Sequence, residues 1–271
     1  IKSKADPFAF PSFISFIWRI LFMSQLSLTP ARKAMVLAGG LLVAATWIYL
    51  VLVRPTSWES VAGSTEALIT LGGYVGGAVF LLAGTLPVLP ARTIAIIPVA
   101  LVLNIVVGEI IGSIGVPLYL DAVGTILVAA LAGPIAGLAT GTLSSVVWGL
   151  INPAALPFAA VSAATGYLSG WAISHGAFKK WWRVVASGAV IGIISGMLAA
   201  PVAAFVYGGT AGLGTGAVVS LFRELGNSLL ASVTLQSFIS DPLDKIIVFL
   251  IVWATVKALP KRTLESLRPQ L

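Results

Sequence analysis

Apolar residues occur along this chain in long runs, each about as long as a helix that crosses the hydrocarbon core of a bilayer. Polar and apolar residues do not alternate at strand spacing, which argues against a barrel of membrane strands. We therefore predict an all-helical integral membrane protein. The runs predict eight spans, at about 34–52, 65–86, 92–114, two within 121–150, 156–173, 184–207 and 241–259.

Residues that begin or interrupt helices divide these runs. Gly133 and Pro134 separate the fourth span from the fifth by a tight turn. Asp241 is placed to cap the last span, and Pro242 suits the first position of a helix. The preceding segment, 208–240, is therefore predicted to be a long outer connection.

Two further segments lie outside the predicted spans. Residues 8–25 are rich in Phe, Ile and Trp and carry Arg19 as their only charge, so we predict an interfacial helix along the inner membrane surface. A re-entrant or short spanning segment is the alternative. Residues 218–240 form an amphipathic stretch, which we interpret as a lid over the outer face.

The composition excludes a soluble domain. Apolar residues make up 58% of the 271 residues and charged residues 9%, whereas soluble domains are about 45–50% apolar and about 25% charged. A chain with so few charges does not cover a surface that faces water. Cysteine is absent and His175 is the single histidine, so we expect no disulfide, no metal site and no cofactor.

The distribution of Lys and Arg predicts the orientation. If the amino terminus is cytoplasmic, thirteen of the sixteen basic residues lie on the cytoplasmic side, and only Arg54, Arg223 and Lys245 lie outside. We therefore predict a multi-pass protein of the cell membrane with both termini in the cytoplasm. The net charge of +7 then needs no nucleic-acid partner. The basic run 179–183 is interpreted as a membrane anchor, with a docking surface for a cytoplasmic partner as the alternative.

Glycines four residues apart occur in most of the spans. Gly188, Gly192 and Gly196, for example, share one helix face. Small residues let helix backbones approach closely in lipid, where there is no hydrophobic drive for association. The glycine stripes therefore predict a compact bundle.

Motifs for catalysis are absent from the sequence. There is neither a nucleotide-binding loop of the Gly-x-x-x-x-Gly-Lys-Ser/Thr type nor a metalloprotease His-Glu-x-x-His pair. Asp241 and Asp244 lie together at the predicted start of the last span, where they would compensate the helix dipole. We therefore expect no enzymatic activity.

A ligand site is predicted at the outer face. Glu109 lies inside an apolar helix, where a carboxylate is costly unless it is paired. Arg223, Lys245 or a ligand could neutralise it, and a purely structural Glu109–Arg223 pair is an equal alternative. The candidate substrate-binding residues are Asn104, Glu109, Tyr119, Asp121, Trp148, Asn152, Arg223, Glu224, Asn227 and Gln236. Together they suit a small-molecule pocket, and each alone also suits an interfacial anchor or a helix cap.

One segment resembles a known family. Residues 114–127 read Ile-Gly-Val-Pro-Leu-Tyr-Leu-Asp-Ala-Val-Gly-Thr-Ile-Leu, and residues 131–137 read Leu-Ala-Gly-Pro-Ile-Ala-Gly. This pattern resembles the substrate-binding S component of energy-coupling factor (ECF) transporters, over about two-thirds of the chain. The resemblance implies a six-helix substrate-binding core at 91–260, after an N-terminal extension at 1–90 with two additional transmembrane helices. A basic cytoplasmic tail follows at 261–271.

The resemblance also implies a function. An S component is the specificity subunit of an importer, binds a vitamin, vitamin precursor or similar small molecule near its outer face, and topples in the bilayer to deliver it. Two separate cytoplasmic ATPase subunits supply the energy through a transmembrane coupling protein. Ala91 and Ala95 match the family's Ala-x-x-x-Ala motif, which contacts that coupling protein.

Two other functions are compatible with the same residues. A membrane ligand sensor would need a separate signalling partner. An ion-coupled secondary transporter would use Glu109 as its proton or cation site. The charge of the ligand stays open, because the candidate residues include both carboxylates and Arg223.

Overall fold

The structure, a computed structural model, describes residues 28–55, 64–209 and 212–267. These residues fold into α-helices joined by short turns, without a strand among them, which confirms the all-helical prediction. The helices are α1 Pro30–Val53, α2 Thr65–Thr85, α3 Ala91–Ser113, α4 Val123–Ala132, α5 Pro134–Gly149, α6 Ala159–Ser174, α7 Trp181–Val206, α8 Leu213–Glu224, α9 Leu229–Ala258 and α10 Lys261–Leu267. The predicted interfacial helix at 8–25 and the last four residues of the tail lie outside the described residues.

Four helices are long and apolar enough to cross a membrane. They are α1, α2 with the turn that follows it, α3 and α7. Their outward faces carry large apolar side chains, of which Leu52 is 74% exposed and Met197 is 59% exposed. Contiguous apolar surface of this kind is unfavourable in water and favourable in lipid. The part of the chain that the structure describes is therefore compatible with a transmembrane protein.

Local sequence explains where several helices begin. The Thr29 and Ser64 side chains accept hydrogen bonds from backbone N–H groups in the first turns of α1 and α2. The chain turns between α4 and α5 at Gly133, whose φ of 88° is readily adopted by glycine. Pro134 then begins α5, as proline can at the first position of a helix. The predicted break is confirmed.

The helix that contains the predicted last span begins much earlier than predicted. Helix α9 starts at Leu229, and the Ser228 side chain caps it by accepting a hydrogen bond from Ala231 N. Pro242 lies inside the helix rather than at its first position. The prediction that Asp241 caps a helix is therefore wrong. A proline inside a helix is tolerated when neighbouring groups satisfy the backbone atoms that it leaves without a partner.

Two consequences follow from this early start. The predicted outer connection 208–240 consists largely of α8 and the first turns of α9. The charged residues Asp241, Asp244 and Lys245 are buried in mid-helix, so they do not compensate a helix dipole.

Helices α1 and α2 share a hydrophobic core with the helices that follow. Leu50 and Tyr74 are fully buried in the same cluster as Val128 of α4. The Trp47 indole donates a hydrogen bond to Leu198 O in α7, at 3.0 Å. The Tyr74 hydroxyl donates to Pro157 O, at 3.3 Å. The N-terminal pair is thus packed onto the rest of the bundle by both apolar and polar contacts.

The glycine stripe of α7 brings that helix into close contact with α9. Gly188 lies against Ile246, and Gly192 lies so close to Asp241 O that an added Cβ atom would be 2.4 Å from it. These two helices form the most extensive pairing in the described chain. The contact fixes the middle of α9, where the buried charges lie.

The helices alternate in direction, and the bundle has two ends. We call the end formed by residues 114–122, 150–158, 207–209 and 212–228 the loop end. The opposite end, formed by residues 86–90, 175–180 and 259–262, is the basic end. At the basic end α10 packs back onto α3, and the Thr93 hydroxyl donates a hydrogen bond to Leu267 O.

Candidate functional site

A cavity of about 130 Å³ lies inside the loop end. Helices α5, α6, α7 and α9 form its sides, and the loop 114–122 and the turn Pro153–Phe158 border it. We call it the loop-end cavity. Its polar and aromatic lining consists of Tyr119, Asp121, Ser145, Trp148, Asn152, Phe158, Ser162, Thr165, Ser237, Asp241 and Lys245.

A cluster of four charged side chains lies at one wall of this cavity, and three of them, Asp121, Asp241 and Lys245, line it. The Lys245 ammonium lies 2.6 Å from Asp244 Oδ2 and 3.4 Å from Asp121 Oδ1. Lys245 is 5% exposed and Asp244 is fully buried. Burial makes isolated charges very unfavourable, so the close pairing of these groups compensates for their removal from water. The fourth member of the cluster, Asp241, lies one helical turn before Lys245.

Asp244 also holds the loop that borders the cavity. Its Oδ1 atom accepts hydrogen bonds from Tyr119 N, at 2.9 Å, and from Leu120 N, at 2.5 Å. Leu120 has a φ of 50°, a left-handed conformation that is unfavourable for a residue with a Cβ atom. The Asp244 carboxylate therefore stabilises a strained turn and places Tyr119 and Asp121 at the cavity.

Asp241 differs from the other members of the cluster. It is 5% exposed and lines the cavity, and its Oδ2 atom has no hydrogen-bond partner among the described residues. The nearby Lys245 ammonium is bonded to Asp244 and Asp121 instead. The cluster thus contains three carboxylates and one ammonium group. Buried polar atoms are hydrogen-bonded in the great majority of cases, so an unsatisfied one needs an explanation.

Tyr119 contributes a half-buried phenol to the cavity. Burial raises the pKa of the Tyr119 phenol well above its usual range, and the negative charges of Asp241, Asp121 and Asp244 raise it further. The phenol is therefore protonated at neutral pH and can donate a hydrogen bond.

Glu109 belongs to a second network at the outer margin of the cavity. Its Oε1 atom accepts hydrogen bonds from the Trp148 indole, at 2.6 Å, and from Asn152 Nδ2, at 3.0 Å. It does not pair with Arg223, so within the described residues the alternative of a structural ion pair is wrong. The carboxylate orients two residues that line the cavity.

A wider cleft of about 640 Å³ adjoins the cavity and opens at the loop end. We call it the vestibule. Its lining includes Glu109, the loop residue Val116 and the α8 residues Gly214 and Thr215. Tyr119, Trp148 and Asn152 line both spaces and therefore stand between them.

An aromatic pair supports the turn Pro153–Phe158, which borders the cavity. The rings of Phe158 and Tyr207 are stacked, with centroids 5.7 Å apart. The Tyr207 hydroxyl donates a hydrogen bond to Ala154 O, at 2.7 Å. The turn Pro153–Phe158 is therefore held by Tyr207 on one side and by Tyr74, through Pro157 O, on the other.

Asn104 lies in the core beneath the site rather than on its lining. Its Oδ1 atom accepts hydrogen bonds from Gly124 N and Thr125 N, and its Nδ2 donates to Thr125 Oγ1 and Ser144 Oγ. The first N–H groups of a helix lack partners within the helix, and Ala122 at the N-cap of α4 cannot supply one. Asn104 supplies it from α3 and so fixes the start of α4.

The remaining candidates lie away from the cavity. Arg223 and Glu224 are exposed at the end of α8, and Asn227 donates a hydrogen bond to Phe222 O in the following turn. Gln236 is buried in α9, but it does not line the cavity or the vestibule. The structure thus brings Tyr119, Asp121, Trp148 and Asn152 together at the cavity and joins Glu109 to them. The candidates that lie outside the lining are Asn104, Arg223, Glu224, Asn227 and Gln236. Ala91 and Ala95, the candidate coupling contacts, are both exposed at the start of α3.

Sequence reasoning missed the residues on α9 and the hydroxyl groups of α5 and α6. The spacing of Asp241, Asp244 and Lys245, three and four residues apart, places them on one helix face. That spacing was available in the sequence, but the interpretation of Pro242 as a helix start concealed it. The Ser145–Ser162 hydrogen bond, at 2.8 Å, joins two helices and has no comparable sequence pattern.

The described residues contain no group of three His, Cys, Asp or Glu side chains arranged to hold a metal ion. Comparisons of the chain with protein-family models, with curated proteins and with solved structures find no match. The chemistry of the site is therefore argued from its own geometry.

Proposed function

We propose that this protein is the membrane-embedded specificity subunit of an ECF-type importer and that it binds a small molecule in the loop-end cavity. The observation that carries the proposal is this cavity, with its paired and unpaired buried charges, its aromatic walls and a vestibule beside it. A concave site with a few convergent polar groups is typical of small-molecule binding. The solute would be a vitamin, a vitamin precursor or a similar compound.

The arrangement of the helices supports this proposal. Six helices, α3 to α7 and α9, would form the S-component-like core, with α1 and α2 as an addition packed against it. The Pro-Leu-Tyr-Leu-Asp segment, which carries the resemblance, is the loop that Asp244 holds against α9. The resemblance and the cavity therefore involve the same residues.

The charges support an orientation with the loop end outside the cell. Basic residues at the opposite end include Arg92, Lys179, Lys180 and Lys257. A cytoplasmic excess of Lys and Arg is the usual arrangement in multi-pass proteins of the cell membrane. Both termini would then be cytoplasmic, and the vestibule would open to the outside.

In this proposal the chain itself does no catalysis, and ATP is hydrolysed by two cytoplasmic subunits coupled through another membrane protein. The test is to purify the chain from its native membrane and to measure which proteins accompany it and whether uptake needs ATP. We expect an ATPase-bearing module to copurify and uptake to stop when the ATPases are removed. Uptake by the isolated chain in vesicles would contradict the proposal, as would a signalling protein as the sole partner.

Replacing Glu109 by Gln separates the importer from an ion-coupled transporter. We expect E109Q to alter the affinity for solute, since the Trp148 and Asn152 contacts weaken, while uptake stays ATP-dependent. The measurement is uptake with and without ATP and with and without an ion gradient. E265Q, at an exposed position of α10, is the matched control. Uptake that follows the ion gradient and loses this dependence in E109Q would favour the secondary transporter.

A further inference from the structure

The charges at the loop-end cavity do not balance. Asp244 and Lys245 neutralise each other at 2.6 Å, and Asp121 shares the same ammonium at 3.4 Å. Asp241 contributes a further carboxylate and has no cation bonded to it among the described residues. The other polar side chains of the cavity are neutral hydroxyl, amide, indole and phenol groups. The cavity therefore has an excess of negative charge in a site largely removed from water.

The excess charge at Asp241 can be removed by a proton or by a bound cation. A protonated carboxyl group is a hydrogen-bond donor, and its proton needs an acceptor. A proton on the buried Oδ2 atom would be unsatisfied, because that atom has no hydrogen-bond partner among the described residues, and Ser237 is the side chain that hydrogen-bonds the carboxyl group. A positively charged group inside the cavity, by contrast, would satisfy the carboxylate and restore neutrality.

The other walls of the cavity favour the same class of ligand. Trp148, Phe158 and Tyr119 line the cavity, and the faces of aromatic rings attract cations. The volume of about 130 Å³ is close to that of an engineered protein cavity, about 150 Å³, that binds benzene. The space therefore suits one ring with a short substituent.

We propose that the loop-end cavity binds a small organic cation of about the size of one substituted ring, whose protonated nitrogen pairs with the Asp241 carboxylate. This inference rests on the proposed function, because it names the class of solute that the importer would take. It excludes an anionic solute, since a second negative group beside Asp241 would be repelled at short range.

The test compares three probes of similar size and different charge on the purified full-length protein. The probes are benzylammonium, benzyl alcohol and benzoate, and the measurement is the dissociation constant by calorimetry. We expect benzylammonium to bind at least about tenfold more tightly than benzyl alcohol, because it forms a desolvated charge pair, and benzoate to bind most weakly. Benzoate as the tightest probe, equal binding of all three, or no binding of benzylammonium would each overturn the proposal.

Variants at Asp241 test whether this residue causes the preference for the cationic probe. D241N should remove the advantage of benzylammonium over benzyl alcohol, D241E should keep much of it, and the control E265Q should keep all of it. A D241N protein that retains the advantage would place the charge recognition elsewhere and contradict the assignment. Should D241N fail to fold, the comparison of the three probes on the unaltered protein still tests whether the cavity prefers a cation.

The outcomes also separate this inference from the importer proposal. Tight binding of benzoate together with a copurifying ATPase module would overturn the cationic class and support the importer. A preference for benzylammonium without any ATPase partner would support the cation site and count against the importer.

Discussion

At the scale of single residues, Asp244 connects the buried charges to the loop that borders the cavity. One carboxylate oxygen accepts from the backbone of Tyr119 and Leu120, and the other accepts from Lys245. An asparagine at this position would keep an acceptor for the loop and lose the negative charge. The residue therefore allows the electrostatic and the geometric contributions to be separated.

We predict that D244N is less stable than the unaltered protein by about 1.5–3 kcal/mol, because the buried Lys245 ammonium loses its partner at 2.6 Å and keeps Asp121 at 3.4 Å. The double variant D244N/K245M should be less stable than D244N, since it also removes the ammonium that pairs with Asp121 at 3.4 Å. The measurement is the free energy of unfolding in detergent, with E265Q as the control. Equal stabilities of D244N and E265Q would show that the pair contributes nothing.

The candidate residues differ in how far the sequence predicts their place. Tyr119, Asp121, Trp148 and Asn152 are near helix ends, and alternating helices bring such ends together, so their proximity follows from the order of the spans. The position of Asn104 depends on the rotation of α3 about its axis. That rotation is decided by packing against α4, where Gly124 allows close approach, and sequence spacing alone does not specify it.

At the scale of elements, the pairing of α7 with α9 places the charged cluster. A methyl group at position 192 would lie 2.4 Å from Asp241 O and 2.5 Å from Pro242 Cα. Both are backbone atoms, so no side-chain movement relieves the contact. The glycine therefore sets how closely the two helices approach at the level of the cavity.

We predict that G192A destabilises the protein by about 1–3 kcal/mol and weakens probe binding, because the overpacked contact displaces the Asp241 region. The matched control is G72A, since nothing lies within 4 Å of a Cβ atom added there. Alanine also has the better helix propensity, so G72A should be neutral or slightly stabilising. Unfolding free energies and benzylammonium titrations check both variants. A G192A protein that behaves like G72A would contradict the close contact.

A helix boundary was predictable where the conformational preference of a local Gly or Pro decides it, and not where packing against other helices decides it. Gly133 and Pro134 mark a turn by their own conformational preferences, and the structure has a turn there. Pro242 has the same kind of preference, but its position inside α9 depends on the surrounding helices. The glycine stripe of α7 predicts a close contact without naming its partner, α9.

At the scale of the whole molecule, the start of α3 is the surface where the proposed coupling protein would dock. Ala91 and Ala95 are exposed there, on the basic end of the bundle. The intervening Thr93 is buried and bonded to Leu267, so this helix start is held in place by α10. Small side chains on a fixed helix permit close helix packing in a membrane.

We predict that A95L lowers the amount of copurified ATPase module by about tenfold. The larger leucine side chain would separate α3 from the helix of the coupling protein that packs on it. Benzylammonium binding should not change, because the loop-end cavity lies at the other end of the bundle. The matched control is A83L, an exposed alanine of α2 near the same end. Quantitative immunoblotting of the purified complex provides the measurement. An equal loss in A83L would indicate a general effect on the membrane surface.

The attachment of α1 and α2 has a mechanical consequence for a protein that tilts. Trp47 and Tyr74 bind these helices to α7 and to the turn Pro153–Phe158, so the pair would travel with the core as one body. A wider body displaces more acyl chains for the same angle of tilt. Hydrophobic mismatch costs fractions of a kcal/mol per Å, and that penalty grows with the perimeter that meets the lipid. The rate of such a transporter should therefore vary with bilayer thickness more steeply than that of a six-helix relative.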